Sequence, residues 1–136
     1  MELKAVMIVD DDEDDRMFFQ DAVKIMNPLV QSVEAENGED ALGKLKKMQV
    51  LPQYIFLDLN MPVMDGTRFL KELNSDDHLK NIPVIVYTTS VSPDDMKITS
   101  ELGARYYLPK TPDLKKLPAK LSFAINMVGS LTLNYS

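Results

Sequence analysis

Apolar residues along the chain come in two alternating forms, short unbroken runs and longer stretches in which they recur at helical intervals. The first run, residues 4–9 (KAVMIV), predicts a strand, and Met17, Phe18, Ala22, Val23, Ile25 and Met26 then recur at roughly helical spacing and predict a helix. A weaker strand is expected near 30–35, followed by a helix with Asn37 as N-cap and with Ala41, Leu42, Leu45 and Met48 at helical positions. Residues 54–57 (YIFL) are too few and too uniformly apolar for anything but a buried strand, and Phe69, Leu70 and Leu73 mark a short helix after it. Residues 83–87 (PVIVY) read as another buried strand. Ser92 then stands as an N-cap, Pro93 at the first helical position, Asp94 and Asp95 in the first turn and Gly103 at the C-cap. Residues 105–108 (RYYL) predict a last strand, and Leu114, Leu117, Leu121, Ala124, Ile125 and Val128 form a helical stripe, with Pro118 in its first turn or kinking it.

Five strands alternating with five helices imply a doubly wound α/β fold, a parallel sheet covered on both faces, because parallel strands need crossover connections and helices supply them. Ligands bind such sheets at the carboxyl ends of the strands, where the strand order reverses. A chain of 136 residues holds one core and not two, so one domain is expected over 1–128 with a tail at 129–136. Within the tail, SLTLNY (130–135) alternates apolar and polar residues and is expected to fray. Any output module is expected from another chain. No apolar run approaches the ~20 residues of a membrane span and no basic-then-apolar leader follows Met1, so a cytoplasmic protein is expected. Cysteine is absent, which excludes disulfides and thiolate metal sites. The net charge of −6 argues against nucleic acid or an anionic membrane as partner, since both require a basic patch, and turns attention to metal ions and proteins. The nine methionines read as adaptable core filler and His78 as an exposed loop residue.

The residues just past the predicted strands are Asp10 and Asp11, then Asp58, Thr88 and Lys110. Three carboxylates gathered at one sheet edge repel one another unless a cation neutralises them, and oxygen-only ligands favour Mg²⁺. A carboxylate can also attack phosphorus to give an acyl phosphate, and a hydroxyl and an ammonium are then the groups that hold the phosphoryl oxygens. Each residue alone has an ordinary reading as a cap or a solvated loop charge, but together at four strand ends they describe a phosphoryl-transfer site. Residues 10–15 are six consecutive acids, DDDEDD. Asp12 to Asp15 fall at the N-cap and first turn of the first helix, where the helix dipole favours negative charge.

The segments VDDD, FLDLNMPVMDG (56–66), PVIVYTTS (83–90) and YLPK (107–110) resemble, in order and over about residues 4–128, the receiver domain of two-component response regulators. The resemblance implies a flavodoxin-like strand order 2-1-3-4-5. It implies that Asp58 is the phosphoacceptor, that Asp10, Asp11, Asp58 and the backbone carbonyl of Asn60 bind Mg²⁺, that Thr88 hydrogen-bonds the phosphoryl group and that Lys110 pairs with its charge. Tyr107 matches the aromatic on strand five whose inward rotation accompanies movement of the Thr. Asn60 and Ser90 match positions that set the lifetime of the phosphorylated state. One departure is local: the family's lysine is normally followed by a cis proline, whereas here the order is Pro109-Lys110-Thr111-Pro112. Either the loop is built differently or its surroundings bear the ~2.5–4 kcal/mol of a cis bond.

The expected function is a stand-alone phosphoacceptor switch that takes its phosphoryl group from a histidine kinase or a histidine phosphotransfer protein. Its output is expected to be binding of a downstream protein through the face of helix four, strand five and helix five. It is not expected to be an enzyme beyond its own phosphorylation and dephosphorylation. Two alternatives stand beside this reading. A small phosphatase of the haloacid-dehalogenase type would use Asp10 as nucleophile and Asp12 as acid/base, but leaves DLNMPVMDG unexplained. A degenerate receiver acting only as a scaffold would have no need of the acids, Thr88 and Lys110.

Overall fold

The computed structural model describes residues 2–134, in the order β1 (Ala5–Val9), α1 (Glu13–Met26), β2 (Gln31–Ala35), α2 (Gly38–Lys47), β3 (Tyr54–Leu57), α3 (Gly66–Asn74), β4 (Val84–Thr88), α4 (Pro93–Glu101), β5 (Tyr106–Pro109) and α5 (Leu117–Asn134). A single 3₁₀ turn, Leu114–Lys116, leads into α5. The five strands form one parallel sheet in the order β2-β1-β3-β4-β5, so the doubly wound arrangement is the one observed.

The unbroken apolar runs of the central strands follow from burial on both faces. Alternate residues of β1 serve opposite cores: Met7 and Val9 join Ile55, Leu57, Leu45 and Phe69 under α2 and α3, while Val6 and Ile8 join Phe56, Phe19, Val23, Leu121 and Ala124 under α1 and α5. The caps expected at Asn37 and Ser92 are both present: Asn37 Oδ1 accepts the Asp40 N–H at 2.8 Å and Ser92 Oγ accepts that of Asp95 at 3.4 Å. Gly103 takes φ +97° just beyond α4, the left-handed conformation that closes a helix and that a side chain would oppose.

Several details differ from expectation. The inward stripe of α1 is Phe19, Ala22 and Val23, while Met17 and Ile25 are exposed. Two adjacent phenylalanines leave the phase of this helix ambiguous, and packing settles it, because the Phe19 ring lies 4.9 Å from that of Phe56 and 6.2 Å from that of Tyr87. The last strand begins one residue later than expected. Lys110 donates its N–H to the Thr88 carbonyl at 2.8 Å, so Pro109 before it turns its nitrogen away from β4 on the open edge, where no donor is needed. Pro118 sits in the first turn of α5 and costs it no hydrogen bond. α5 continues past Val128 to Asn134, so the segment expected as a tail begins inside a helix, and Tyr135 and Ser136 lie outside the described residues. Of the methionines, Met7, Met61 and Met64 are buried, but Met17, Met96 and Met127 are exposed. His78 is exposed. Among the described residues no helix is long and apolar enough to cross a membrane.

The turn after β3 carries a strained residue. Val63 has φ +68°, and Met64 N–H donates to the Pro62 carbonyl at 2.8 Å around it. A β-branched residue is costly there, and Val63, at 70% exposure, gains little packing in return. Val63→Asn is therefore expected to raise stability by about 1 kcal/mol, read as a higher urea midpoint at unchanged slope.

Candidate functional site

The carboxyl ends of β1, β3, β4 and β5 converge because these strands are neighbours in register, Val9 beside Leu57 and Thr88 beside Pro109. Asp10 follows β1 with 0% exposure. Its backbone N–H donates to Ala35 O at 3.0 Å, its carbonyl accepts Arg16 Nη1 at 2.8 Å and its Oδ1 accepts the Asp12 N–H at 3.0 Å. Asp58 follows β3 with 7% exposure. Its N–H donates to Val9 O at 2.9 Å and its Oδ1 accepts the Leu59 N–H at 2.8 Å. Carboxylate oxygens of Asp10, Asp11 and Asp58 all lie within 4.8 Å of one another, with Asp11 facing solvent.

Lys110 closes this cluster. Its Nζ lies 2.8 Å from Asp10 Oδ2, 2.8 Å from Asp15 Oδ2 and 3.4 Å from Asp58 Oδ2, and 5.6 Å from the centre of the Tyr87 ring. Among the described residues no peptide bond is cis. The loop after Lys110 is built differently: Thr111 Oγ1 accepts the Asp113 N–H at 3.2 Å, and Asp113 Oδ1 caps the 3₁₀ turn through the Lys115 N–H at 3.1 Å.

Burial pushes the Asp10 carboxyl up to about 6, although the hydrogen bond from Lys110 opposes it. Burial alone would lower the Lys110 ammonium, but its hydrogen bonds to Asp10 and Asp15 outweigh that and hold it above the ordinary lysine value. Burial likewise raises the Tyr87 hydroxyl to about 12. One ammonium against four carboxylates leaves the edge strongly negative. Hard oxygen donors in such surplus fit a divalent cation held by Asp10, Asp11 and Asp58.

Thr88 is fully buried at the end of β4, and its Oγ1 accepts the Ser90 N–H at 3.4 Å. Ser90 is a junction: its carbonyl accepts the Tyr107 hydroxyl at 3.0 Å, and its Oγ donates to Asp95 Oδ2 at 2.6 Å. Tyr106 and Tyr107 point to opposite faces of β5, with the Tyr106 ring 6.5 Å from that of Phe123. Asn60 lies on the exposed turn two residues after Asp58. Asp12 is the N-cap expected of it, accepting the Asp15 N–H at 3.1 Å. Asp15 is not merely a helix-start acid, since it reaches Lys110. The signal for it was its place one turn before Phe19, on the buried stripe.

Residues 6–122 match the response regulator receiver domain family. The chain belongs to that family. The response regulator Rcp1 of Synechocystis sp. is 33% identical over 119 residues, covering 84% of this chain and 81% of Rcp1. Some other curated relatives are longer, and the chain spans between 15% and 53% of their length. The phosphorylated cyanobacterial phytochrome response regulator RcpA has a similar structure, with a TM-score of 0.82 at 29% identity over 93% of this chain and 96% of that one. The Mn²⁺-bound form of Rcp1 superposes with a TM-score of 0.77 at 31% identity, over 88% and 90% of the two chains.

As a receiver domain the chain has a phosphoacceptor signalling role. The dehalogenase alternative gains nothing from the family match or from the site. Both carboxylate oxygens of Asp10 are engaged, one by Lys110 and one by the Asp12 N–H, and Asp12 itself caps α1.

Proposed function

We propose that Asp58 accepts the phosphoryl group of a phosphohistidine on a histidine kinase or phosphotransfer protein. The observation that carries this assignment is the unequal occupation of its two oxygens. Oδ1 is held at 2.8 Å by the Leu59 N–H, whereas among the described residues the one hydrogen-bond donor to Oδ2 is Lys110 Nζ, at 3.4 Å. Oδ2 attacks phosphorus, the P–N bond to the imidazole breaks, and the imidazole leaves with the electron pair of that bond. Lys110 Nζ is placed to pair with the transferred oxygens and the Thr88 hydroxyl to donate to them. Mg²⁺ held by Asp10, Asp11, Asp58 and the Asn60 carbonyl would supply further neutralisation of phosphoryl charge.

Recruiting the Thr88 hydroxyl would loosen its weak contact with Ser90, and Ser90 carries the Tyr107 and Asp95 contacts. The change thus reaches α4 and β5. α4 is poorly anchored, with Thr99 its one buried residue, and Met96, Ile98 on α4 and Phe123, Met127 on α5 are exposed. This face is the proposed docking site for a downstream protein in the cytoplasm. The proposed activity is confined to the chain's own phosphorylation and dephosphorylation, and the proposed domain ends near Val128.

Intact mass after incubation with acetyl phosphate tests the reading. One added phosphoryl group is expected with Mg²⁺ and none without it. Borohydride reduction should then convert the acyl phosphate to homoserine at position 58. Homoserine found at position 10 instead would overturn the assignment.

A further inference from the structure

We propose that Asp15 is a positioning residue that restrains the Lys110 ammonium and so slows phosphorylation of Asp58; the proposal rests on Asp58 being the phosphoacceptor. An ammonium has three donors. Here all three face carboxylates, two at 2.8 Å (Asp10 Oδ2 and Asp15 Oδ2) and one at 3.4 Å (Asp58 Oδ2). Lys110 is thus drawn towards β1 and α1 and stands off from the oxygen that would carry phosphate. Asp10 has a second task within the metal cluster. Asp15 lies outside that cluster, and among the described residues its side-chain bond to the site is the one to Lys110.

The position of Asp15 is fixed by the core rather than by chance on the surface. It lies one helical turn before Phe19, which is fully buried and packed on Phe56 and Tyr87. Tyr87 in turn underlies the Lys110 ammonium at 5.6 Å. The Asp15 backbone N–H is held by Asp12 Oδ1, which anchors the first turn of α1. Asp15 therefore meets Lys110 without reordering either helix or strand. An incoming phosphoryl group must draw Lys110 away from one of its partners. Because the Asp15 side chain is 36% exposed, water screens the pair and the restraint is modest and releasable.

The test is the rate of labelling by acetyl phosphate at saturating Mg²⁺, followed by intact mass, for wild type, Asp15→Asn, Asp15→Glu and the control Asp14→Asn. Asp14 carries the same charge in the same turn and is exposed. Asp15→Asn is expected to label about two- to fivefold faster, Asp15→Glu to return towards the wild-type rate and Asp14→Asn to stay close to it. In a Lys110→Ala background the acceleration should disappear, since a restraint acting through Lys110 has nothing left to hold. An unchanged or slower rate for Asp15→Asn, an equal gain in Asp14→Asn, or a gain that persists without Lys110 would each overturn the proposal. Labelling that fails to map to Asp58 in the wild type would instead overturn the reading on which it rests.

Discussion

Asp58→Asn is expected to abolish phosphoryl labelling while leaving the fold intact and the metal-free protein no less stable. The amide keeps the shape of the carboxylate, and its oxygen can still accept the Leu59 N–H that now holds Asp58 Oδ1 at 2.8 Å. What is lost is the second oxygen, the atom with lone pairs to direct at phosphorus. An amide nitrogen in its place is no nucleophile. The stability effect has a worked sign. Asp58 lies close enough to Asp10 for its charge to help raise the Asp10 carboxyl, which is the signature of mutual repulsion. Removing one charge relieves that repulsion, while Lys110 keeps its two shorter partners, Asp10 and Asp15. The urea midpoint without divalent ion should thus stay level or rise. Added Mg²⁺ should stabilise the wild type more than the variant, because a ligand that binds only the native state stabilises it in proportion to occupancy. Undiminished labelling of Asp58→Asn would sink the phosphoacceptor assignment, and a large fall in stability would show that Asp58 holds the turn rather than the phosphate.

The strands were legible because burial on both faces leaves them uniformly apolar, and YIFL and PVIVY have no other reading once flanked by turns. Caps were legible because they are local: Asn37, Ser92, Pro93 and Gly103 act within a turn of where they stand. The phase of α1 was not, since Phe18 and Phe19 offer two stripes of nearly equal merit and only the partners across the sheet, Phe56 and Tyr87, select between them. That ambiguity carried directly into the site. With Phe18 taken as the inward residue, Asp15 has no reason to face the sheet edge. With Phe19 inward it does. An acid in the first turn of a helix already has a sufficient local explanation in the dipole, and so its long-range partner, 95 positions along the chain, went unread. Positions past the strand ends were readable for a different reason. A parallel sheet fixes one common edge, so Asp10, Asp58 and Lys110 were expected together and are together. The strain at Val63 and the side-chain bonds of the Thr111–Asp113 turn depend on backbone angles that no residue spacing encodes.

Gly66→Ala is expected to damage both the fold and the site, through a single methyl group. Gly66 opens α3 where its N–H donates to Leu59 O at 3.0 Å, which brings the helix start hard against the end of β3. A Cβ there would stand 2.8 Å from the Asp58 carbonyl oxygen and 2.8 Å from Leu59 Cα, and 2.9 Å from Leu59 Cδ2. The first two are backbone atoms, so no rotamer change relieves the contact and either α3 or the strand end must move. Such overpacking costs ~1–3 kcal/mol, more than the under ~1 kcal/mol that alanine regains over glycine as a helix former. The strand end in question carries Asp58, and displacement of a reacting group by ~1 Å can cost ~10²-fold in rate. The comparison that isolates the effect is Gly43→Ala, in the middle of α2, where a Cβ meets nothing within 4 Å. That substitution should raise stability by ~0.5–1 kcal/mol through helix propensity alone and leave labelling untouched. Opposite shifts of the urea midpoint for the two variants, with labelling slowed only in Gly66→Ala, would tie the phosphoacceptor's placement to the absence of one side chain. Equal shifts would mean that the turn after β3 yields to an extra methyl, and that Asp58 is held instead by its N–H bond to the Val9 carbonyl and by the Leu59 N–H on its Oδ1.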